Sequence, residues 1–88
     1  MPREINPDGH GKVMPFYAEL GGRIQERLRE LDLSHSEFAE LISKSRPHVS
    51  NMIAGRFMIN AHEVLSLAKT LKKSPLWLLG VQNKAKES

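Results

Sequence analysis

Apolar residues recur at helical spacing along most of this chain. In the first such segment they return every three or four positions, the period of an amphipathic α-helix: Phe16, Leu20, Ile24, Leu28 and Leu31. Charged residues fall between them and are expected on the outer face of this helix: Arg23, Glu26, Arg27 and Glu30. Gly21 and Gly22 each weaken a helix by about 1 kcal/mol relative to alanine, so this one is expected to fray or begin late.

Two shorter amphipathic segments follow, with a tight turn between them. Each carries three apolar residues on one face: Phe38, Ala39 and Ile42 in the first, and Val49, Met52 and Ile53 in the second. The intervening residues 43–45 are too few for anything but a turn, so residues 35–54 predict a helix-turn-helix. The small side chain of Ala39 is expected to let the second helix cross the first closely.

Helix starts are indicated by side chains that accept a hydrogen bond from the first free backbone N–H groups. Ser34 and Glu37 have the spacing of a capping box for the second helix, which is expected to run to about Ser43. Ser45 is a suitable N-cap for the third helix, which is expected to end near Gly55.

Two further helices are predicted after residue 60. Asn60, with Glu63 three positions later, marks the start of the fourth helix, and its apolar face would hold Val64, Leu65, Leu67, Ala68 and Leu71. A short fifth helix begins at Ser74 and Pro75. Its four consecutive large apolar residues, 76–79, cannot all face one small core. Because the chain has no alternating strand pattern and no internal repeat, five helices predict an all-α bundle.

The 88 residues are enough for one such domain. Residues 1–15 hold three prolines and two glycines with little apolar content, so they are expected to form a flexible amino-terminal arm. The helical domain is expected over residues 16–81, followed by a polar tail over residues 82–88.

Composition removes several classes of function. The chain has no cysteine, which excludes disulfides and thiolate metal sites. Its four histidines lack metal-ligand spacing, and no catalytic set of side chains assembles, so we expect no metal, no cofactor, no small-molecule ligand and no enzyme activity. No segment approaches the roughly 18 apolar residues of a membrane span, and residues 1–12 lack the apolar run of an export signal. A cytoplasmic location is therefore expected.

Charge is distributed unevenly along the chain. Residues 1–40 hold five Lys and Arg against eight Asp and Glu, whereas residues 41–88 hold eight against two, giving net charges of −3 and +6. No acidic residue lies between Glu40 and Glu63, although Lys44, Arg46 and Arg56 do. Such a run favours binding to a polyanion such as DNA. Chance clustering of charge on a solvated face is the alternative.

The helical segments resemble a known family, the phage-repressor-like helix-turn-helix domains of the lambda and P22 repressors, Cro proteins and restriction-modification controllers. The resemblance covers about residues 16–80 and is carried by the segments LSHSEFAELI, SRPHVSNMIAGR and NAHEVLSLAKTLKKSPLWLLG. It implies a five-helix domain that binds operator DNA as a homodimer, with its third helix in the major groove. Three positions depart from the family pattern: His35 replaces a frequent glutamine, Ser43 a usual glycine, and Lys44 a usual apolar residue.

Helical spacing leaves one side of the third helix free to face DNA. Its candidate base contacts are Arg46, Pro47, Ser50 and Asn51. Arginine can bond bidentately to guanine, asparagine to adenine, and proline can contact a thymine methyl group. Candidate contacts to the DNA backbone are His35, Lys44, Ser45, His48, Arg56 and Asn60. Lys44 is equally well read as a solvated surface lysine, and His48 as a residue at the groove edge.

The sequence predicts a transcriptional regulator, more specifically a repressor that binds a palindromic operator. The proposed dimer surface lies on the fifth helix and consists of Leu76, Trp77, Leu79 and Val81. The alternative of another class is an antitoxin-type interaction module, which would bind a partner protein and bind DNA only secondarily.

Overall fold

Five α-helices make up the described part of the chain. A computed structural model describes residues 12–81. The helices are α1 (Pro15–Leu31), α2 (His35–Leu41), α3 (Arg46–Ile53), α4 (Ala61–Leu71) and α5 (Pro75–Leu79). Residues 12–81 contain no strand, so the prediction of an all-α, five-helix domain is confirmed. The predicted arm as far as residue 11 and the predicted tail, residues 82–88, lie outside the described residues.

The apolar stripes predicted from the sequence meet in one core. Helix α1 contributes Leu20, Ile24 and Leu28, all fully buried. The other helices add to the same cluster: Phe38, Ala39, Val49, Met52, Val64, Leu67, Ala68, Leu71 and Leu78, with Ile59 from the loop before α4. Each helix therefore contributes side chains to one core, and the hydrophobic effect is the main force that holds the bundle together.

Side-chain caps begin the helices where the sequence predicts them. The Ser34 hydroxyl accepts a hydrogen bond from the Glu37 N–H, and the Glu37 carboxylate accepts one from the Ser34 N–H, which completes the capping box. Ser45 caps α3 by accepting from the His48 N–H at 3.2 Å. Asn60 caps α4 in the same way at 2.8 Å. These caps satisfy backbone donors that have no partner inside a helix.

Two helices end close to the predicted positions, where the backbone turns left-handed. Helix α2 ends at Leu41, two residues before Ser43, which has φ of +59°. Helix α3 ends at Ile53, two residues before Gly55, which has φ of +80°. A positive φ is incompatible with continued right-handed helix, so each residue terminates the helix before it.

The sequence predicted that the paired glycines would make α1 fray or start late, and this prediction was wrong. Helix α1 begins at Pro15 and continues through both glycines. Gly21 is buried, and a Cβ atom added there would overlap the backbone carbonyl of Ile53 at the end of α3. A Cβ added at Gly22 would meet nothing within 4 Å. Gly21 therefore allows α3 to lie directly against the α1 backbone.

A second backbone contact joins the same two helices. The Met14 N–H, just before α1, donates to the Gly55 carbonyl oxygen at 2.8 Å, just after α3. Gly55 also lies so close to Ala18 that a Cβ atom would overlap the backbone of that residue. The carboxyl end of α3 is thus held to the first turns of α1 at two glycines.

Two arginines predicted on the outer face of α1 instead bind other helices, so that prediction was wrong. Arg23 Nε donates to the Leu78 carbonyl at 2.9 Å, and Arg27 Nε donates to the Leu71 carbonyl at 2.8 Å. These carbonyls lie in the last turns of α5 and α4, where backbone acceptors lack helical partners and a positive charge is favourable. Arg27 also pairs with Glu30 at 2.9 Å.

The longest of these helices has 17 residues. Among residues 12–81, no helix combines the length and apolar character needed to cross a bilayer.

Candidate nucleic-acid interface

One face of α3 is turned into the core and the other is open. Val49 is fully buried and Met52 is 2% exposed, and both lie against the other helices. On the opposite side, Arg46 and Pro47 in the first turn are exposed, and Ser50 and Asn51 are half-buried. The helix therefore presents the four predicted base-contacting residues on one continuous surface.

The turn between α2 and α3 contains a left-handed residue that is not glycine. Ser43 adopts the left-handed conformation, φ +59°, at the position where the resembling family usually has glycine. The Lys44 N–H then donates to the Ala39 carbonyl at 2.9 Å, which closes the end of α2. Ala39 is 3% exposed, so its small side chain lies within the packed core beside this turn. The Lys44 side chain is exposed at the tip of the turn.

The side-chain amide of Asn51 uses only part of its hydrogen-bonding capacity within residues 12–81. One hydrogen of its Nδ2 group is donated to the Pro47 carbonyl oxygen at 3.0 Å, one turn back along α3. The second amide hydrogen and the Oδ1 oxygen have no partner among the described hydrogen bonds of residues 12–81. An adenine edge needs one donor and one acceptor from asparagine, and this arrangement leaves one of each.

His35 links three helices. Its Nε2 lies 2.7 Å from Gln25 Oε1 on α1, and its Nδ1 lies 3.1 Å from Ser50 Oγ on α3. Both ring nitrogens are therefore engaged by protein groups. The sequence predicts a DNA phosphate contact for His35 and does not indicate a role for Gln25. Gln25 follows the buried Ile24 within α1, and nothing in the pattern of α1 indicated its contact with α2.

His48 is held against an aromatic ring. Its imidazole lies 4.7 Å from the Phe57 ring, centroid to centroid, with a tilt of 40°. Partial burial lowers the pKa of His48, the Lys44 ammonium lowers it further, and Glu63 acts in the opposite direction. The environment of His48 in the free protein therefore favours the uncharged ring. Phe57 was not among the predicted site residues.

The cations around α3 are unpaired with the acids that the structure describes. Lys44 and Arg46 are exposed and Arg56 is half-buried. The one ion pair among residues 12–81 joins Arg27 to Glu30 on α1, away from these cations in the sequence. The three cations border the exposed face of α3 and produce a local positive potential there.

A separate apolar surface lies away from α3. A groove of about 330 Å³ is lined by residues of α1, α4 and α5 and of the loop before α4: Phe16, Tyr17, Ile59, Ala61, Val64, Leu65, Pro75 and Leu79. Close by on α5, Leu76 is 52% exposed and Val81, after the helix, 54% exposed. Trp77 is half-buried, with Lys73 Nζ 5.0 Å from its ring centroid.

Residues 24–78, well over half of the chain, match the family model for helix-turn-helix domains of the Cro/C1 type. The chain belongs to this helix-turn-helix family. The matched region begins inside α1 and ends in α5, so it includes α2, the turn and α3. Members of this family are DNA-binding regulatory domains. No curated protein and no solved structure gave a significant match.

Helix-turn-helix motifs share a general geometry of docking on DNA. In such motifs the second helix enters the major groove and the first crosses the backbone. Here α3 is that second helix, and its exposed face carries Arg46 and Pro47. The described residues include no cluster of three His, Asp or Glu side chains placed to hold a metal ion.

The lowered pKa of His48 predicts that acid destabilises the folded protein. An unfolded histidine titrates near 6.5, about its ordinary value. Because the folded ring titrates lower, the unfolded state binds more protons as the pH falls. The contribution of His48 to stability is therefore complete above that pH and is lost as the pH falls through the folded pKa. Denaturant unfolding of the wild type and of His48→Gln, repeated between neutral and mildly acidic pH, measures this dependence.

The variant should show a shallower loss of unfolding free energy with acidification than the wild type. His62→Gln is the matched control, because His62 is an exposed histidine on α4. An equal pH slope in the wild type and His48→Gln would contradict the burial argument.

Proposed function

We propose that this protein is a sequence-specific transcriptional regulator that binds double-stranded DNA, and more specifically a repressor that binds a palindromic operator as a homodimer. The observation that carries the proposal is the two-sided α3. Its inner face holds Val49 and Met52 in the core. Its outer face holds Arg46 and Pro47 in solvent, and the cations Lys44 and Arg56 lie at its two ends. The repressor role in particular rests on the resemblance to phage repressors.

The base contacts are proposed on the outer face of α3. Arg46 reads guanine through O6 and N7, because its guanidinium offers two parallel donors. Asn51 reads adenine with the donor and acceptor that its bond to Pro47 leaves free. Pro47 has no N–H and offers an apolar surface suited to a thymine methyl group. Ser50 lies between these positions and completes the set.

The backbone contacts are proposed at both ends of α3. Lys44 and Ser45 precede the helix, and Arg56 and Asn60 follow it. Ser45 and Asn60 use side-chain oxygens as caps, which leaves the Ser45 hydroxyl hydrogen and the Asn60 amide hydrogens to donate to phosphates. These contacts fix the position of α3 on the duplex without reading sequence.

The two histidines have more limited proposed roles. His48 is proposed to contact a phosphate through its ring, although burial and Lys44 lower its pKa and so disfavour the charged form in the free protein. The His35 ring is engaged by Gln25 and Ser50, so the ring is proposed to position α3. The phosphate contact of His35 is proposed through backbone N–H groups at the amino end of α2.

The dimer is proposed through the apolar residues around α5. Leu76 and Val81 are each about half exposed, whereas Trp77 and Leu79 are partly buried against the core. Leu79 also lines the apolar groove beside Phe16 and Leu65, so the candidate surface extends beyond the four residues predicted from sequence. A two-fold axis through this patch would bring the same residues together from both copies.

Replacing Arg46 should change which DNA sequences are bound. On a duplex selected by the wild type from a random library, Arg46→Ala should weaken binding by about 1–3 kcal/mol and relax preference at one base pair. Arg56→Ala is the matched control, because it removes a phosphate contact. It should weaken binding to all sequences alike and reduce the salt dependence. Fluorescence anisotropy titrations over single-base variants measure both effects.

Unchanged selectivity in Arg46→Ala would contradict the placement of α3 in the groove. Failure of the wild type to enrich any duplex would contradict sequence-specific binding and favour the antitoxin-type interaction module.

Replacing Leu76 should disrupt the dimer. Sedimentation at micromolar concentration should show a dimer for the wild type and a shift toward monomer for Leu76→Glu, because burying a carboxylate in an apolar interface is unfavourable. Leu41→Glu is the matched control, since Leu41 is 59% exposed on α2, which contributes no residue to the proposed dimer surface. A wild type that is monomeric with and without DNA would contradict the homodimer.

A further inference from the structure

The hydrogen bonds of His35 determine the orientation of a hydroxyl group on the outer face of α3. Gln25 Oε1 is an acceptor, so the His35 Nε2 at 2.7 Å must carry a hydrogen and donate it. A neutral imidazole has one N–H, which leaves the Nδ1 as an acceptor. The Ser50 Oγ, 3.1 Å from the Nδ1, must then donate its hydrogen to the ring.

The consequence falls on Ser50. A serine hydroxyl ordinarily rotates and can either donate to a base or accept from one. Here its only hydrogen points inward to His35, and the lone pairs of the oxygen remain. Ser50 is half-buried on α3, one turn after the exposed Arg46 and Pro47, so an oxygen that only accepts lies beside the proposed base contacts.

We propose that Gln25 and His35 are positioning residues that make Ser50 an acceptor in base recognition. An acceptor pairs with the amino groups that adenine and cytosine display in the major groove, and not with O6 and N7 of guanine. This relay, the hydrogen bonds that run from Gln25 through His35 to Ser50, thus favours adenine or cytosine over guanine at the base that Ser50 faces. This inference rests on the proposed placement of α3 in the major groove.

The first test needs no DNA. Nitrogen-15 NMR of the imidazole in the free protein, at a pH where the ring is neutral, identifies which ring nitrogen carries the hydrogen. The wild type should hold the hydrogen on the Nε2. Gln25→Leu, which removes the acceptor, should populate both tautomers, and Gln25→Glu, which restores one, should return the hydrogen to the Nε2. A wild type with its hydrogen on the Nδ1 would overturn the proposal.

The second test measures base preference. Duplexes that differ at single base pairs of a wild-type-selected site are titrated with the wild type, Gln25→Leu, Gln25→Glu and Ser50→Ala. The wild type should prefer adenine or cytosine over guanine at one position by roughly three- to tenfold, the range of one hydrogen bond. Gln25→Leu and Ser50→Ala should lose that preference at the same position, and Gln25→Glu should retain it.

A uniform loss of affinity in Gln25→Leu, with preferences unchanged, would overturn the relay and show a merely structural role. Thermal melting of each variant identifies any that fails to fold. If Gln25→Leu does not fold, Ser50→Ala provides the test, because a base preference that is unchanged in Ser50→Ala also overturns the proposal. Wild-type binding without selectivity would instead overturn the proposed function and this inference with it. The two failures are therefore distinguishable.

Discussion

The structure depends on how closely the end of α3 approaches the backbone of α1. At Gly21 the Ile53 carbonyl occupies the space where any other residue would have a Cβ atom. At Gly55 the chain again lies against α1, and the Met14 N–H bonds to the Gly55 carbonyl. Because close-packed backbones cannot move apart without losing these contacts, α1 fixes both the depth and the direction of α3. The orientation of the outer face of α3 follows from these contacts.

Helix α1 also holds the other side of the bundle. Arg23 and Arg27 reach across it to the terminal carbonyls of α5 and α4, while Leu20, Ile24 and Leu28 fill the space between. Helix α1 therefore contacts the helix-turn-helix motif through its glycine and the apolar region around α5 through its arginines. The two candidate surfaces are distinct: α1 packs behind α3, whereas its own Phe16 and Tyr17 help to line the apolar groove.

Much of this arrangement follows from the sequence, because it depends on local rules. Apolar spacing predicted the first four helices, and Ser74 with Pro75 indicated the fifth. The caps at Ser34, Ser45 and Asn60 predicted where three of them begin. The interpretation of Gly21 was wrong, because helix propensity describes a glycine in isolation and its value here comes from a contact with Ile53. The outward placement of Arg23 and Arg27 was wrong for the same reason, since long side chains can reach acceptors that are distant in sequence.

The candidate site divides in the same way. Exposure of Arg46 and Pro47 on α3 follows from periodicity, whereas the contacts of His35 with Gln25 and Ser50 depend on the relative placement of three helices. The pairing of His48 with Phe57 joins α3 to the loop that follows it, and helical periodicity does not indicate such a contact. The DNA-contacting roles of residues in and around α3 and the dimer role of α5 stay predictions. The comparison with known families supports the coarser prediction, a DNA-binding helix-turn-helix domain.

The contact between α1 and α3 is tested most directly by the free energy of unfolding of Gly21→Ala compared with that of Gly22→Ala. We predict that Gly21→Ala lowers the free energy of unfolding by about 1–3 kcal/mol or prevents folding, because the added methyl group overlaps the backbone of Ile53. The adjacent Gly22→Ala should be neutral or up to about 1 kcal/mol more stable, since alanine favours helix and the space there is open. Equal effects of the two substitutions would contradict the claim that this contact positions α3.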